Sequence, residues 1–229
     1  MKTLFAPLMG RFGNQISIWA HAKAVCERDG LELCCGPWIG EEVFDISKSR
    51  RVSRPDVVLP ADYHQRQESA IYTRSQVKQW LKVKPHIWEL MEIYNPDELL
   101  AHRRVGDYAG KDSCFPVISK YSYIKAVDKF GFDYTKLAWI TEENPTPCPA
   151  LHKDLQFMAD FIHMMRAKVL FRGNSTFSYW AGVLGDSMVY APIVKGRGLL
   201  GGKECEVDYV EGNHPACSDF DFVSDIHLQ

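Results

Sequence analysis

The most constraining feature of this sequence lies within its first 35 residues, where two apolar stretches flank a glycine-containing turn and a helical pattern. Thr3–Leu8 has the composition of a buried strand, and Gly10–Gly13 in "GRFGNQ" predicts a tight turn. Apolar residues then recur at helical spacing from Asn14, the expected helix cap, to Asp29-Gly30. "LELCC", residues 31–35, follows as a second strand. This order predicts a βαβ unit with a parallel sheet, and such sheets bind ligands at the carboxyl ends of their strands.

A second alternation of strand and helix patterns begins after Asn95-Pro96, which ends a helical stretch over 75–94 broken at Pro85. The strand patterns are "ELLAHRR", "KLAWIT", "AKVLF" and "SMVYAPI", and the helical patterns lie at 120–130, at 154–166 and after "RGNST". We therefore predict an α/β protein with two Rossmann-like halves, residues 1–95 and 96–229. The charged segment over 41–70 is expected to form loops with short helical pieces.

Size and composition exclude several classes of protein. A chain of 229 residues with 46% apolar residues is long enough to bury a core. It has no uncharged apolar run of about 18 residues that would span a membrane. A net charge of −2 gives no general attraction to nucleic acid, and seven cysteines without C-x-x-C spacing argue against a disulfide framework or a zinc site. Because the opening segment reads as a strand rather than a signal peptide, we predict a cytoplasmic protein.

The stretch "HRRVGDY", residues 102–108, closes a strand with two arginines. A guanidinium held by a rigid strand makes bidentate contacts with phosphate, which a flexible lysine does not. The stretch is therefore a candidate phosphate-binding segment. The alternative is a solvated arginine pair followed by a Gly-Asp turn, and the residues alone leave both readings open.

Two further stretches have the pattern of ligand-binding turns. "RGNSTFS", residues 172–178, joins a strand to a helix, where unpaired N–H groups and the helix dipole favour an anion. Ser175 and Thr176 add hydroxyl donors there, or they form an ordinary helix cap. The opening hexapeptide presents Arg11 and Asn14 to a ligand, or it is simply a strand-to-helix turn.

Together the three stretches resemble motifs of the fucosyltransferase superfamily of inverting glycosyltransferases. "MGRFGNQ" is similar to the N-terminal motif of protein O-fucosyltransferases and to the G-G-L-G-N-Q of alpha-1,2-fucosyltransferases. "HRRVGDY" resembles H-x-R-R-G-D-Y of the latter and H-L-R-I-G of the former, and "GNSTFSYWAGVLG" resembles S-T-F-S-W-W-A. The resemblance covers roughly residues 5–192. It implies a GT-B-like fold, in which two Rossmann-like domains with parallel sheets face a cleft.

The resemblance also assigns roles to residues. The arginine of the second motif falls on Arg104, which is expected to contact the donor diphosphate, and Asp107 is the candidate base unless its Gly-Asp turn is structural. Val105 stands where alpha-1,2 enzymes have another arginine, so the subfamily stays open. The other expected donor-binding residues are His102, Gly106, Glu142, Asn174, Ser175, Thr176 and Phe177. The residues expected on the acceptor side of the cleft are Gly10, Arg11, Phe12, Gly13 and Asn14. Related enzymes carry acidic residues near the nucleotide at this place, so Glu142 or Glu143 is expected to hold guanine or ribose, and a solvated loop is the alternative.

The function implied is inverting transfer of a sugar, L-fucose from GDP-fucose, to a glycan or protein hydroxyl. The GDP-sugar is a substrate, and neither a cofactor nor a metal is expected. Asp219-Phe-Asp221 matches the D-x-D metal motif of another glycosyltransferase architecture, but it lies in an acidic tail without a preceding sheet pattern. Two alternatives remain: a non-catalytic nucleotide-sugar or glycan-binding relative, and a transferase that uses another nucleotide sugar.

Overall fold

A computed structural model describes residues 1–48, 52–64, 70–92, 98–106, 117–192 and 222–224. The chain divides into two compact units, Met1–Trp88 and Glu89–Gln229. The predicted boundary at Asn95-Pro96 lies outside the described residues. No helix in these ranges is long and apolar enough to cross a membrane.

The opening βαβ unit is confirmed in the first unit of the structure. Its elements are β1 (Thr3–Ala6), α1 (Phe12–Asp29) and β2 (Glu32–Cys35). β1 and β2 pair in parallel, with Thr3 opposite Glu32 and Ala6 opposite Cys35. α1 ends at Gly30, whose φ of 67° is the left-handed conformation that glycine adopts without strain.

The predicted cap of α1 is wrong. The helix begins at Phe12, two residues before Asn14, and Arg11 occupies the cap position without a side-chain capping bond. Gly10, which lies between the end of β1 at Ala6 and the start of α1 at Phe12, has a φ of 74° and turns the chain sharply before the helix. The turn is therefore complete at Arg11, and Asn14 lies within the first turn of the helix.

The described residues after β2, up to Glu92, form loops and short helices, as predicted, together with one strand that was not predicted, and the last of these helices crosses the boundary between the two units. The elements are α2 (Gly40–Val43), β3 (Val57–Val58), α3 (Arg74–Trp80) and α4 (Pro85–Glu92). β3 pairs in parallel with β1, which gives the order β2-β1-β3 over the described residues. β3 has two residues, which is shorter than the run of about four to eight over which an apolar pattern predicts a strand.

The second unit contains a mixed sheet with the order β5-β4-β6-β7-β8 in the described ranges. Its elements are β4 (Leu99–His102), α5 (Lys120–Lys129), β5 (Ala138–Ile140), α6 (Phe157–Arg166), β6 (Val169–Phe171), α7 (Thr176–Leu184), β7 (Met188–Pro192) and β8 (Phe222–Ser224). The first four strands in this order pair in parallel, and β8 is antiparallel to β7. The predicted helices and parallel strands are confirmed, whereas β8 was missed.

Aromatic packing holds the centre of this sheet. Phe171 of β6 stacks on Tyr190 of β7, with ring centroids 4.7 Å apart. Tyr123 of α5 packs on Phe222 of β8 at 4.9 Å, and both rings are buried. Interiors of this kind are close-packed, so the ends of β4 and β6 are held in fixed positions.

Candidate functional site

The carboxyl ends of β5, β4 and β6 lie side by side in the second unit. The parallel registers place His102 opposite Ile140 and Ala101 opposite Phe171. The segments that follow these strands therefore leave the sheet at one edge. They contain the residues predicted to bind the donor, which come from three separate parts of the sequence.

His102, the last residue of β4, is 5% exposed and sits beneath this edge. Its carbonyl oxygen accepts a hydrogen bond of 2.8 Å from the Tyr123 hydroxyl, and its ring lies 5.9 Å from that of Phe177. Burial lowers the pKa of His102 to about 4, and the Glu142 carboxylate opposes this shift only in part. The imidazole is therefore neutral at pH 7. Its buried Nδ1 has no hydrogen-bond partner among the described residues.

The loops after β4 and β6 approach each other closely at Gly173. A Cβ at this glycine would lie 3.0 Å from the His102 carbonyl oxygen and 3.3 Å from its Nδ1. A side chain at position 173 would therefore displace the backbone or the ring of His102. The absence of a side chain at position 173 lets the stretch that begins at His102 and the stretch that begins at Arg172 come into contact.

The two arginines of "HRRVGDY" have different partners. Arg103 Nε donates to the carbonyl oxygen of Ile118 at 2.9 Å, which fastens the end of β4 to the segment before α5. Arg104 Nη1 lies 3.0 Å from Glu142 Oε1, and its side chain is 17% exposed. Arg104 thus belongs to the candidate site, whereas Arg103 contributes to the scaffold.

Glu142 contacts the loop after β4 at two points. Its Oε1 pairs with Arg104, and its Oε2 accepts a hydrogen bond of 3.0 Å from the Val105 backbone N–H. A Cβ at Gly106 would lie 2.9 Å from Oε1, so glycine leaves room for the carboxylate. Glu142 therefore lies beside Arg104 at the carboxyl edge of the sheet, and its contact with a donor stays a prediction. Asp107 lies outside the described residues.

The amino terminus of α7 forms the other side of this edge. Ser175 is the cap residue, and its Oγ accepts a hydrogen bond of 3.2 Å from the Phe177 backbone N–H. The capping alternative is thus correct for Ser175. Thr176 opens the helix and is half-buried, and Asn174 before the cap is buried. A helix start of this kind favours negative charge.

Arg172 was not assigned to the site by sequence reasoning, although it directly follows β6. The side chain is 1% exposed. Its Nη1 donates to the Gly173 carbonyl oxygen at 3.2 Å, and its guanidinium lies 5.4 Å from the centre of the Tyr179 ring. A buried cation beside a helix amino terminus adds to the positive potential there. The signal in the sequence was an arginine placed immediately after an apolar strand.

The described residues contain no group of three or more His, Cys, Asp or Glu side chains that could hold a metal ion. Asp219 and Asp221 lie outside these ranges. At the edge itself the described groups are cationic side chains, backbone N–H groups, hydroxyls and one carboxylate. This set suits a phosphate ligand.

The motif "GRFGNQ" belongs to the first unit, where part of it is structural. Phe12 is buried and stacks on Phe44 with ring centroids 5.8 Å apart, and the carbonyl oxygen of buried Gly13 accepts a bond from Ser17 Oγ. Arg11 is exposed and Asn14 is half-buried. Gln15 is also half-buried, and its Nε2 donates to the Gly10 carbonyl oxygen at 3.1 Å.

Gly10 provides a test of this turn. Gly10→Ala is expected to destabilise the protein by about 1–2 kcal/mol, because a left-handed φ is strained for residues with a Cβ. The added Cβ would also lie 2.6 Å from Asn14 Nδ2 and 3.0 Å from Tyr63 Cε1. The control is Gly36→Ala, where a Cβ meets no described atom within 4 Å and φ is ordinary. Urea unfolding measures both, and equal midpoints would contradict the strain at Gly10.

Comparison with known proteins identifies the fold. No family model and no curated protein matches the chain. Among solved structures, the chain resembles a fucosyltransferase, and the mixed α/β fold with parallel sheets is fucosyltransferase-like. The matched structure is the crystal structure of NodZ alpha-1,6-fucosyltransferase soaked with GDP-fucose. The two chains are 11% identical, the TM-score is 0.50, and the match covers 97% of this chain and 99% of that one.

Proposed function

We propose that the chain is a metal-independent, inverting glycosyltransferase that transfers L-fucose from GDP-fucose to a hydroxyl of a glycan or protein. The observation that carries this proposal is the convergence at one sheet edge of Glu142, Arg104 and the start of α7, which are distant in sequence. The likeness to a fucosyltransferase that was soaked with GDP-fucose supports the choice of donor. The second unit is the donor domain in this proposal, and the first unit, with Arg11 and Asn14, contributes the acceptor side.

The donor diphosphate would be bound by two kinds of group. The Arg104 guanidinium has five N–H donors in a planar fork, so it can contact phosphate oxygens while one nitrogen remains paired with Glu142. The amino terminus of α7 supplies backbone N–H groups and the Thr176 hydroxyl. Arg172 and the neutral His102 line the same edge without adding negative charge.

The reaction would be a single displacement at the anomeric carbon. The acceptor oxygen forms a bond to this carbon, and the bond from the carbon to the diphosphate oxygen breaks, leaving its electron pair on GDP. The hydroxyl proton passes to a base, for which Asp107 is the proposed residue. Because negative charge grows on the departing diphosphate, donors already oriented toward it stabilise the transition state, and losing one typically costs about 10²–10³ in rate.

Ligand binding tests the proposal directly. GDP and GDP-fucose are each expected to raise the midpoint of thermal unfolding. The shift should be the same with and without a chelator, because in this proposal arginine and a helix terminus, rather than a metal, hold the phosphates. A ligand present at 100 times its Kd adds about 2.7 kcal/mol of stability. ADP and UDP serve as controls for the base. No shift with any nucleotide would overturn the proposed function, and a shift that vanishes in chelator would overturn its metal independence.

Donor hydrolysis separates an enzyme from a binding protein. An enzyme of this kind is expected to hydrolyse GDP-fucose slowly without an acceptor, with water attacking the anomeric carbon and GDP leaving. A non-catalytic relative would bind GDP and leave the background rate unchanged.

A further inference from the structure

We propose that Glu142 is a positioning residue, which holds Arg104 and the loop after β4 in the orientation that the departing diphosphate requires. This role rests on the proposed function. It differs from the contact with guanine or ribose that the sequence suggested for Glu142. The distinction matters because the two roles change different measured quantities.

The two oxygens of the Glu142 carboxylate hold two different parts of one loop. Oε1 lies 3.0 Å from Arg104 Nη1, and Oε2 accepts the Val105 N–H at 3.0 Å. One contact fixes a side chain and the other fixes the backbone beside it. Both are charge-assisted hydrogen bonds, the stronger class in proteins. The carboxylate thereby restricts the rotation of Arg104 relative to the strand that carries it.

Glu142 can impose this orientation because its own loop is fastened. The turn that contains it is closed by two bonds of 3.1 Å from the Asn144 backbone N–H, one to the carbonyl oxygen and one to the Oγ1 of Thr141. Further along, the Thr146 backbone N–H donates to Asp160 Oδ1 of α6 at 2.6 Å. These contacts tie the loop to β5 at one end and to α6 at the other. Glu142 therefore holds the Arg104 side chain in a fixed position relative to β5 and α6.

Gly106 completes the arrangement. A Cβ there would lie 2.9 Å from Glu142 Oε1 and 3.3 Å from its Cδ, closer than ordinary van der Waals contact. Gly106→Ala would thus push the carboxylate away from Arg104 without changing any charge. It provides a second and independent way to disturb the same contact.

The test compares rate with affinity. Glu142→Gln keeps the shape of the side chain, but its NH₂ group must face one of the two donors, so one contact is lost. We expect the single-turnover rate of GDP-fucose hydrolysis to fall about tenfold, since misplacing a catalytic group costs rate. The Kd for GDP is expected to change less than about threefold, because removal of a negative charge near the phosphate offsets the looser arginine. Gly106→Ala should lower the rate similarly.

The matched control is Glu98→Gln at the opposite end of the same strands. Glu98 precedes β4 and forms an exposed ion pair of 2.7 Å with Lys168, which precedes β6. The same isosteric change there removes an ion pair far from the carboxyl edge. The hydrolysis rate and the GDP affinity are both expected to stay unchanged in this variant.

Each other outcome overturns the role. A Kd for GDP that rises tenfold or more, with discrimination against ADP lost and the saturated rate retained, would assign Glu142 to the nucleoside. An unaltered rate in both Glu142→Gln and Gly106→Ala would overturn positioning while leaving the proposed function intact. If Glu142→Gln lowered the thermal midpoint and reduced the rate and the GDP affinity by similar factors, Glu142 would have only a structural role. Failure of the unaltered chain to bind GDP would overturn the proposed function, and this role with it.

Discussion

Arg104→Lys is expected to slow turnover of GDP-fucose about 100-fold, although the charge at position 104 is kept. Arginine presents a planar fork of donors, whereas lysine presents one flexible ammonium group. In the proposed reaction, lysine at position 104 would lose the bidentate contact that arginine is expected to make with the departing diphosphate. The partly buried Arg104 is already paired with Glu142 in the unaltered chain, so little free energy is needed to order its side chain when a ligand binds. Single-turnover hydrolysis of GDP-fucose measures the effect, followed by transfer once an acceptor is known.

Arg103→Lys is the matched control. Arg103 is adjacent in sequence, but its Nε is bonded to the Ile118 carbonyl oxygen, away from Glu142. Lysine at position 103 should therefore cost some stability and change turnover by only a few fold. If both variants slowed turnover equally, the two arginines would be a general basic patch, and the specific role of Arg104 would be lost.

Lowering the pH from 6.5 to about 4 is expected to remove about 3 kcal/mol of folding stability through His102 alone. The pKa of this buried imidazole falls from 6.5 to about 4 on folding, at about 1.4 kcal/mol for each pH unit. Above pH 6.5 both the folded and the unfolded chain carry a neutral imidazole, so His102 adds no pH dependence. Below pH 6.5 the His102 imidazole is protonated in the unfolded chain, whereas in the folded chain it stays neutral down to about pH 4. The folded state therefore loses stability as the pH falls through this range.

Urea unfolding at several pH values, with the His102→Gln variant beside the wild type, measures this contribution. The variant has no imidazole at position 102, so its stability should fall less steeply between pH 6.5 and 4. His86→Gln removes an exposed histidine and is the control, with a slope expected to match the wild type. A His102→Gln slope equal to that of the wild type would show that position 102 is not buried in the neutral form.

The sequence predicted the parts of the fold that depend on local periodicity. The βαβ opening, the helices of the second unit and its parallel strands follow from apolar spacing and glycine or proline breaks. β8 was missed because its pairing with β7 depends on a strand far away in the chain. The cap of α1 was misplaced because the conformation of Gly10, rather than the preference of Asn14, sets where the helix begins.

The candidate site was predicted as a set of residue types but not as a set of partners. The resemblance to fucosyltransferase motifs implied Arg104 and the start of α7 as donor-binding residues, and this role stays a prediction. That Glu142 holds Arg104 depends on β4 lying beside β5, a relation between strands nearly 40 residues apart. That Ser175 caps α7 while Thr176 stays half-buried depends on backbone geometry at one turn. Arg172 was not predicted as a site residue, because the burial of a charged side chain cannot be predicted from its neighbours in sequence.

The strand order β5-β4-β6 determines which segments of the chain could change ligand specificity. The chain moves from β4 outward to β5 and then crosses back over β4 to β6, so β4 is a topological switch point. Because such crossovers are right-handed, the connections before and after β5 cover opposite faces of the sheet. In open parallel sheets, ligands bind at the carboxyl ends of the strands beside such a switch point, which here are the ends of β4 and β6. If the proposed function is correct, substitutions in the segments after these two strands are expected to change the preferred nucleotide or sugar while the aromatic core beneath them stays the same.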